Sequence, residues 1–282
     1  MKTRIVVDST ADILPEYLDQ IHTVPLTVSF GDEEYIDGVT IDHRTFYQKL
    51  IETDAMPSTS QASPAAFAEQ YDQAAAADEE VVVITISSKL SGTYQSAMIA
   101  AAGCSSVYVV DSENASVGCG ILVGLALRYL RDGMTASAIA EKLQEDKKKI
   151  VVIALLDTLE YLKRGGRISK AAAFAGGLLN IKPVISIADG EIQLLGKARG
   201  SRMGNNLLAQ QIQKVGGIDF TKPVLLGYTG LSDVLLQKYI EDSSYLWSAS
   251  LDAVRYVSIG SVIGAHAGPG AIAVAFFRKY AS

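Results

Sequence analysis

Short hydroxyl side chains recur in this 282-residue chain where apolar runs give way to turns: Asp8-Ser9-Thr10, Thr59-Ser60-Gln61, Ser87-Ser88-Lys89-Leu90-Ser91-Gly92 and Asp111-Ser112-Glu113-Asn114. Hydroxyls of this kind can hold an oxyanion, because a helix start adds unpaired amides and the positive end of the macrodipole. Ser91-Gly92-Thr93-Tyr94 is the clearest case, opening a helical pattern after an apolar run, with Gly92 permitting close approach to the backbone. Ser63 before Pro64 has the N-cap and N1 pairing of a helix start, which leaves the upstream Thr59 and Ser60 free to donate to something else. Taken singly, each hydroxyl also fits an ordinary cap or turn residue.

A second kind of chemistry lies in Lys163-Arg164-Gly165-Gly166-Arg167-Ile168-Ser169, where glycines between cations can present a guanidinium to a carboxylate or phosphate. The same glycines would cap a helix that starts near Thr158. Lys197, Arg199 and Arg202 form a basic stretch on an acidic chain, either a solvated face or a docking site for a partner. His266 opens a glycine-rich turn, His266-Ala267-Gly268-Pro269-Gly270, as a ligand contact or a histidine bonded to backbone. Several motifs are missing. There is no Gly-x-x-x-x-Gly-Lys-Ser/Thr loop, no Gly-x-Ser-x-Gly elbow, and Gly118-x-Gly120-x-x-x-Gly124 has the wrong spacing for a dinucleotide fingerprint.

The elements that must position these residues follow from the apolar pattern. All-apolar runs at 4–8, 81–86, 107–111 and 150–156 alternate with helical patterns at 43–53, 64–77, 91–102, 113–131 and 135–148. Such runs predict strands covered on both faces in a parallel sheet, with ligands beyond the carboxyl ends of the strands. After Asp157 shorter strands are predicted at 183–187, 191–195, 223–228, 254–259 and 271–277, with a helix at 167–179. The Asp189-Gly190 pair predicts a tight hairpin between the first two of these strands. The fold class is therefore α/β in two domains: residues 1–156 as a parallel α/β/α sheet domain, then residues 157–282 as an α/β domain with a mixed or antiparallel sheet. The segment 22–38 fits either sheet.

With 25 Lys and Arg against 31 Asp and Glu, the chain carries a net charge of -6, which argues against nucleic acid as a partner. No helix-turn-helix signal or basic recognition stripe supports a transcriptional regulator. Cys104 and Cys119 have no metal-ligand or disulfide spacing, so no metal is expected and both are expected to be buried free thiols. The first residues lack a secretory apolar region, so a cytoplasmic location is expected. The apolar stretch 118–127 is too short to span a bilayer and reads as a core helix.

Five tags in order along the chain, Asp8-Ser9-Thr10-Ala11-Asp12, Thr59-Ser60-Gln61, Ser87-Ser88-x-Leu90-Ser91-Gly92-Thr93-Tyr94, Leu159-Glu160-Tyr161-Leu162-x-Arg164-Gly165-Gly166-Arg167-Ile168 and His266-x-Gly268-Pro269-Gly270, resemble the DegV family of bacterial fatty-acid-binding proteins. The resemblance implies a long-chain fatty acid of the palmitate or oleate type as bound ligand, with its carboxylate held by Thr59 and Ser91. It implies Ser60, Gly92, Arg167 and His266 as further pocket residues, with no catalytic residue and no cofactor. It also implies a partner, a separate ATP-dependent fatty acid kinase to which the carboxyl group is presented, with the acyl phosphate carried toward phospholipid synthesis. Arg199 and Arg202 are the candidate kinase contacts. No stable membrane insertion is implied, only room for transient contact. Ala62 departs from the family, which often has proline after the glutamine. The alternative is a small-molecule enzyme related to dihydroxyacetone kinase, with His266 as covalent substrate anchor in a small hydrophilic cavity.

Overall fold

Alternation within an all-apolar strand decides which core each side chain enters. In β1 (Lys2–Asp8), Ile5 and Val7 face one hydrophobic cluster and Val6 the other. The chain continues through β2 (His22–Val24), β3 (Thr27–Phe30), β4 (Glu33–Ile36), α1 (His43–Glu52), β5 (Pro57–Ser60) and α2 (Pro64–Ala76). Then follow β6 (Glu79–Thr85), α3 (Thr93–Ala100), β7 (Val107–Asp111), α4 (Val117–Arg131) and α5 (Ala136–Asp146). The computed structural model describes residues 2–53, 55–168, 180–247 and 254–279.

A parallel sheet of order β2-β1-β6-β7 forms the first layer, and β6 repeats the division of β1, with Val82 and Ile84 on one face and Val81 and Val83 on the other. Helices α4 and α5 cover the first face; α1, α2 and α3 bury Phe46, Tyr47, Phe67 and Ala97 on the second. Segment 22–38 is divided: β2 pairs parallel with β1, whereas β3 pairs antiparallel with β4 and β5 in a separate three-stranded sheet.

The second half contains β8 (Ile150–Leu155), α6 (Glu160–Arg164), β9 (Ile181–Ala188), β10 (Glu191–Arg199), α7 (Gly200–Lys214), β11 (Leu225–Tyr228), α8 (Val234–Asp242), β12 (Tyr256–Ser258), α9 (Ser261–Ala267) and β13 (Ile272–Phe277). Its six strands run in the order β10-β9-β8-β13-β11-β12, antiparallel except for the β11–β12 pair. The molecule is thus an α/β protein with a parallel sheet followed by a mixed one. Asp189 and Gly190 both have positive φ, 50° and 79°, and close the predicted hairpin. The helix expected at 167–179 lies almost wholly outside the described residues.

Three expectations are corrected. The strand at 150–156 forms, but β8 pairs antiparallel with β13 and β9 rather than joining the parallel sheet. A central strand of a mixed sheet with cover on both faces is as uniformly apolar as a parallel one, so the pattern does not separate the two. Cys104 is exposed in the turn after α3; only Cys119 is buried, in α4. The pattern at 113–131 becomes helical only at Val117, because Glu113 and Ser116 adopt positive φ in the preceding loop.

Helix α4 joins the two halves. It packs on β1 and β6 and also on β8, β11 and β13, and every residue from Val117 to Leu127 is buried. A helix apolar on all sides is stable only with such surroundings. Among the described residues no helix is long and apolar enough to cross a membrane.

Candidate functional site

Extended backbone places Thr59. Residues 57–60 pair with β3, setting Thr59 opposite Val28, so Thr59 and Ser60 lie on a strand rather than in the expected turn. Beyond it, Ser63 caps α2 as expected, accepting from the Ala66 amide at 3.2 Å. Ser91 and Gly92 precede α3, where Ser91 Oγ lies 2.9 Å from Thr93 Oγ1 and accepts from the Thr93 amide at 3.3 Å. A Cβ on Gly92 would lie 2.0 Å from Gln61 Oε1, so a larger residue there would displace the Gln61 side chain. Gln61 then reaches over Gly92 and donates to Ser96 Oγ at 2.9 Å.

His266 is not in a turn but in the last turn of α9, and the turn begins at Gly268 with φ 71°. Its Nε2 lies 2.9 Å from Thr59 Oγ1, a contact between residues 207 positions apart. Burial, with a smaller contribution from the Arg167 charge, lowers its pKa from 6.5 to about 4, so the ring is neutral at neutral pH. Nδ1 is buried without a hydrogen-bond partner and faces Gly165, where a Cβ would come within 2.1 Å. Gly165 is the C-cap of α6, as its spacing predicted. Arg167 follows, donating from Nε to the Leu90 carbonyl at 3.1 Å and from Nη1 to the Gly165 carbonyl at 2.8 Å. Its guanidinium therefore ties the α6 end to the Ser91 loop.

These residues meet at one cavity of about 370 Å³. Thr59, Ser60, Gln61, Ser91, Gly92, Arg167 and His266 supply its polar end. The remaining wall is nearly all apolar, from Val152, Ala154 and Leu156 through Ile185 and Ile187 to Val262, Ile263, Ala271 and Ala273. A hollow of about 440 Å³ adjoins the polar end, sharing Ser91, Gly92 and Arg167 and adding Lys89 and Glu191. The hairpin tip is fastened there, since Ser87 Oγ donates to the Gly190 carbonyl at 2.7 Å.

The predicted residues thus divide into two groups. Thr59, Ser60, Ser91, Gly92, Arg167 and His266 are brought together; Arg199, at the end of β10, and Arg202, on α7, are exposed and do not line the cavity. The apolar patterns at 113–131 and 167–179 could have lined such a pocket, but the first contributes only Ala115 and Ser116 and the second lies almost wholly outside the described residues; the wall that the second sheet supplies was not foreseen. Its signal was present at β13 and the residue before it, where Ala271, Ala273 and Ala275 alternate with Ile272, Val274 and Phe276. The large residues pack under α7 and α8, and the alanines face the α4 side, where two of them leave room.

A polar group of three hydroxyls, the Gln61 amide, a neutral imidazole and a guanidinium beside an apolar wall suits a long apolar ligand with an anionic head. Comparison with known proteins finds relatives over nearly the whole chain. A DegV domain-containing protein from Caldanaerobacter subterraneus is 35% identical over 285 residues, spanning 99% of both chains. A DegV family protein from Thermus thermophilus, described by its fatty acid binding, superposes with a TM-score of 0.86 at 33% identity, covering 98% of this chain and 100% of that one. A stearic acid-binding protein from Eubacterium ventriosum superposes with a TM-score of 0.86 at 31% identity, covering 99% of each chain. The model of the DegV family, described as an uncharacterised protein family, matches residues 2–279, and on this whole-length agreement the chain belongs to the DegV family.

Proposed function

We propose that this protein binds one long-chain fatty acid with its tail in the apolar cavity and its carboxylate between Thr59 and Ser91. The observation that carries the reading is that the Thr59–His266 pair and Ser91 line one cavity whose wall is otherwise largely apolar, Ser116 and Ser186 apart. Burying about fifteen methylenes at about 0.8 kcal/mol each gives a gross gain near 12 kcal/mol before ordering costs, so the tail carries the affinity. The head group then needs orientation more than attraction.

Proton placement gives that orientation. Putting the imidazole proton on Nε2 lets His266 donate to Thr59 Oγ1 and leaves a bare lone pair, not an orphaned N–H, at the partnerless Nδ1. Thr59 then has its own proton to give to a carboxylate oxygen. Two hydroxyl donors hold the carboxylate without a directly opposed cation, and Arg167 stays engaged with backbone carbonyls at the rim. In this reading residues 1–156 carry the hydroxyl segments and residues 157–282 complete the pocket, with β8 crossing into the second sheet.

Such a carrier is not itself an enzyme. It presents the carboxyl group to a separate ATP-dependent fatty acid kinase in the cytoplasm and carries the acyl phosphate toward phospholipid synthesis. The adjoining hollow beside Ser91 gives the phosphoryl donor an approach, and the exposed Arg199 and Arg202 are the proposed kinase contacts. The apolar wall favours this reading over a small polar substrate anchored covalently on His266.

Native mass spectrometry of the protein purified from bacteria, followed by denaturing extraction, tests the proposal. Fatty acid at about one per chain is expected, because one cavity combines the hydroxyl head group site with the apolar wall. A lipid-free mass that persists after addition of palmitate or oleate would overturn it. Phosphorylation of the bound acid in a reconstituted mixture with the kinase and ATP tests the partner.

A further inference from the structure

Thr93 has no exposed surface, yet its hydroxyl stands one hydrogen bond behind the cavity. Its Oγ1 accepts from the Ala62 amide at 3.4 Å and lies 2.9 Å from Ser91 Oγ. The Thr93 amide donates to the same Ser91 oxygen at 3.3 Å. Two arrangements of the hydroxyl protons satisfy these contacts. If Ser91 donates to Thr93, the Thr93 proton is left without an acceptor in an interior closed to water, and the full desolvation penalty of a buried donor is incurred. If Thr93 donates to Ser91, the Ala62 amide, the Thr93 amide and the Thr93 hydroxyl all have acceptors, both lone pairs of Ser91 are filled by Thr93, and the Ser91 proton is left for the cavity.

We infer that Thr93 is a positioning residue: together with the Ala62 amide it fixes Ser91 as a donor-only group, which suits an ionised carboxylate better than an uncharged head of the same size. The inference rests on the lipid-binding reading. It extends that reading from which residues touch the head group to what makes the site choose an acid. A hydroxyl free to rotate would accept from an alcohol as readily as it donates to an acid. A hydroxyl whose lone pairs are occupied cannot, and a charge-assisted bond to a carboxylate is about twice as strong as a neutral one.

Affinities for palmitate and for 1-hexadecanol, ligands that differ only at the head, read this out for the wild-type chain, Thr93→Val and Thr93→Ser. Thr93→Val keeps the shape and deletes the hydroxyl; palmitate affinity is expected to fall about tenfold while hexadecanol changes by less than about twofold. Thr93→Ser is expected to restore the wild-type ratio. Equal loss for both ligands, or the same loss in Thr93→Ser as in Thr93→Val, makes Thr93 a packing residue and overturns the inference. Should Thr93→Val not fold, Thr93→Ala deletes the hydroxyl without placing a methyl against the Ala62 amide and is scored on the same ratio. Failure of the wild-type chain to bind either ligand overturns the lipid reading and this inference with it; palmitate binding with an unchanged ratio in Thr93→Val overturns only the role of Thr93.

Discussion

The imidazole of His266 is half-buried, with Nδ1 enclosed, beside a guanidinium, and those two causes, burial first, bring its pKa down to about 4. It should therefore stay neutral across the physiological range. In long-range nitrogen–proton NMR spectra its titration midpoint is expected near 4, with the proton on Nε2; a midpoint near 6.5 would show a solvated ring. The folded chain refuses a proton that the unfolded chain takes up between about 4 and 6.5, so the stability due to the neutral ring is complete above 6.5 and lost as pH falls toward 4. At this scale the sequence was informative about identity. Thr59, Ser91, Arg167 and His266 could be singled out by type and by their turn and glycine neighbours, and all four reach one cavity. Their partners were not readable: nothing local links Thr59 to a histidine 207 residues away, or Arg167 to the carbonyl of Leu90.

Among the elements, α4 has the least tolerance for change, because its first turns lie against the loop after β1. A Cβ on Gly120 would stand 2.0 Å from the Asp12 carbonyl oxygen, a backbone atom that cannot swing aside. Gly120→Ala is therefore expected to cost about 2 to 3 kcal/mol in urea unfolding despite the higher helix propensity of alanine. An unchanged midpoint would mean that the helix and loop are farther apart. The helix itself was legible, since an apolar stretch with no polar side must be buried. Its neighbours were not, and the same holds for β8, whose uniform apolar run fits a parallel or an antiparallel central strand equally well. Strand β5 shows the opposite failure. Pro57-Ser58-Thr59-Ser60 has the composition of a turn and becomes a strand only because β3 is there to pair with it.

Across the whole molecule, the two halves are tied by a buried carboxylate. Asp12, in the loop after β1, accepts from Ser116 Oγ at 2.6 Å at the start of α4 and from the Gly260 amide at 2.7 Å at the start of α9. The cavity is bordered by Ser116, just before α4, and by Val262, Ile263 and His266 of α9. Burial outweighs these two bonds and, with the charge of Asp37 as a smaller effect, raises the Asp12 pKa from 3.8 to about 7. A carboxyl whose folded pKa is raised binds its proton more tightly in the folded chain, so its contribution to stability is complete below about 4 and declines as pH rises to about 7. Asp12→Asn keeps an acceptor for Gly260 and a donor for Ser116 and removes the titration. The stability of the wild type relative to Asp12→Asn, from paired unfolding curves, is expected to fall by up to about 4 kcal/mol between pH 4 and pH 7. A difference that stays flat with pH would show that Asp12 ionises as an ordinary carboxylate.

What the amino-acid order determined by itself was local: which runs are apolar and at what period, where helices cap at Ser63 and Gly165, where Asp189-Gly190 turns, and which hydroxyls and cations stand at element ends. Such features depend on neighbours a few residues apart, whose geometry the backbone fixes. The cavity was decided only by tertiary structure. Its head comes from β5, the loop before α3, the α6 end and α9, and much of its wall from residues of β8 and β9 and from Ala271 and Ala273 at the start of β13. A hollow is a property of surfaces that meet, and the same valines, isoleucines and alanines would fill a solid core had α9 and the mixed sheet packed more closely.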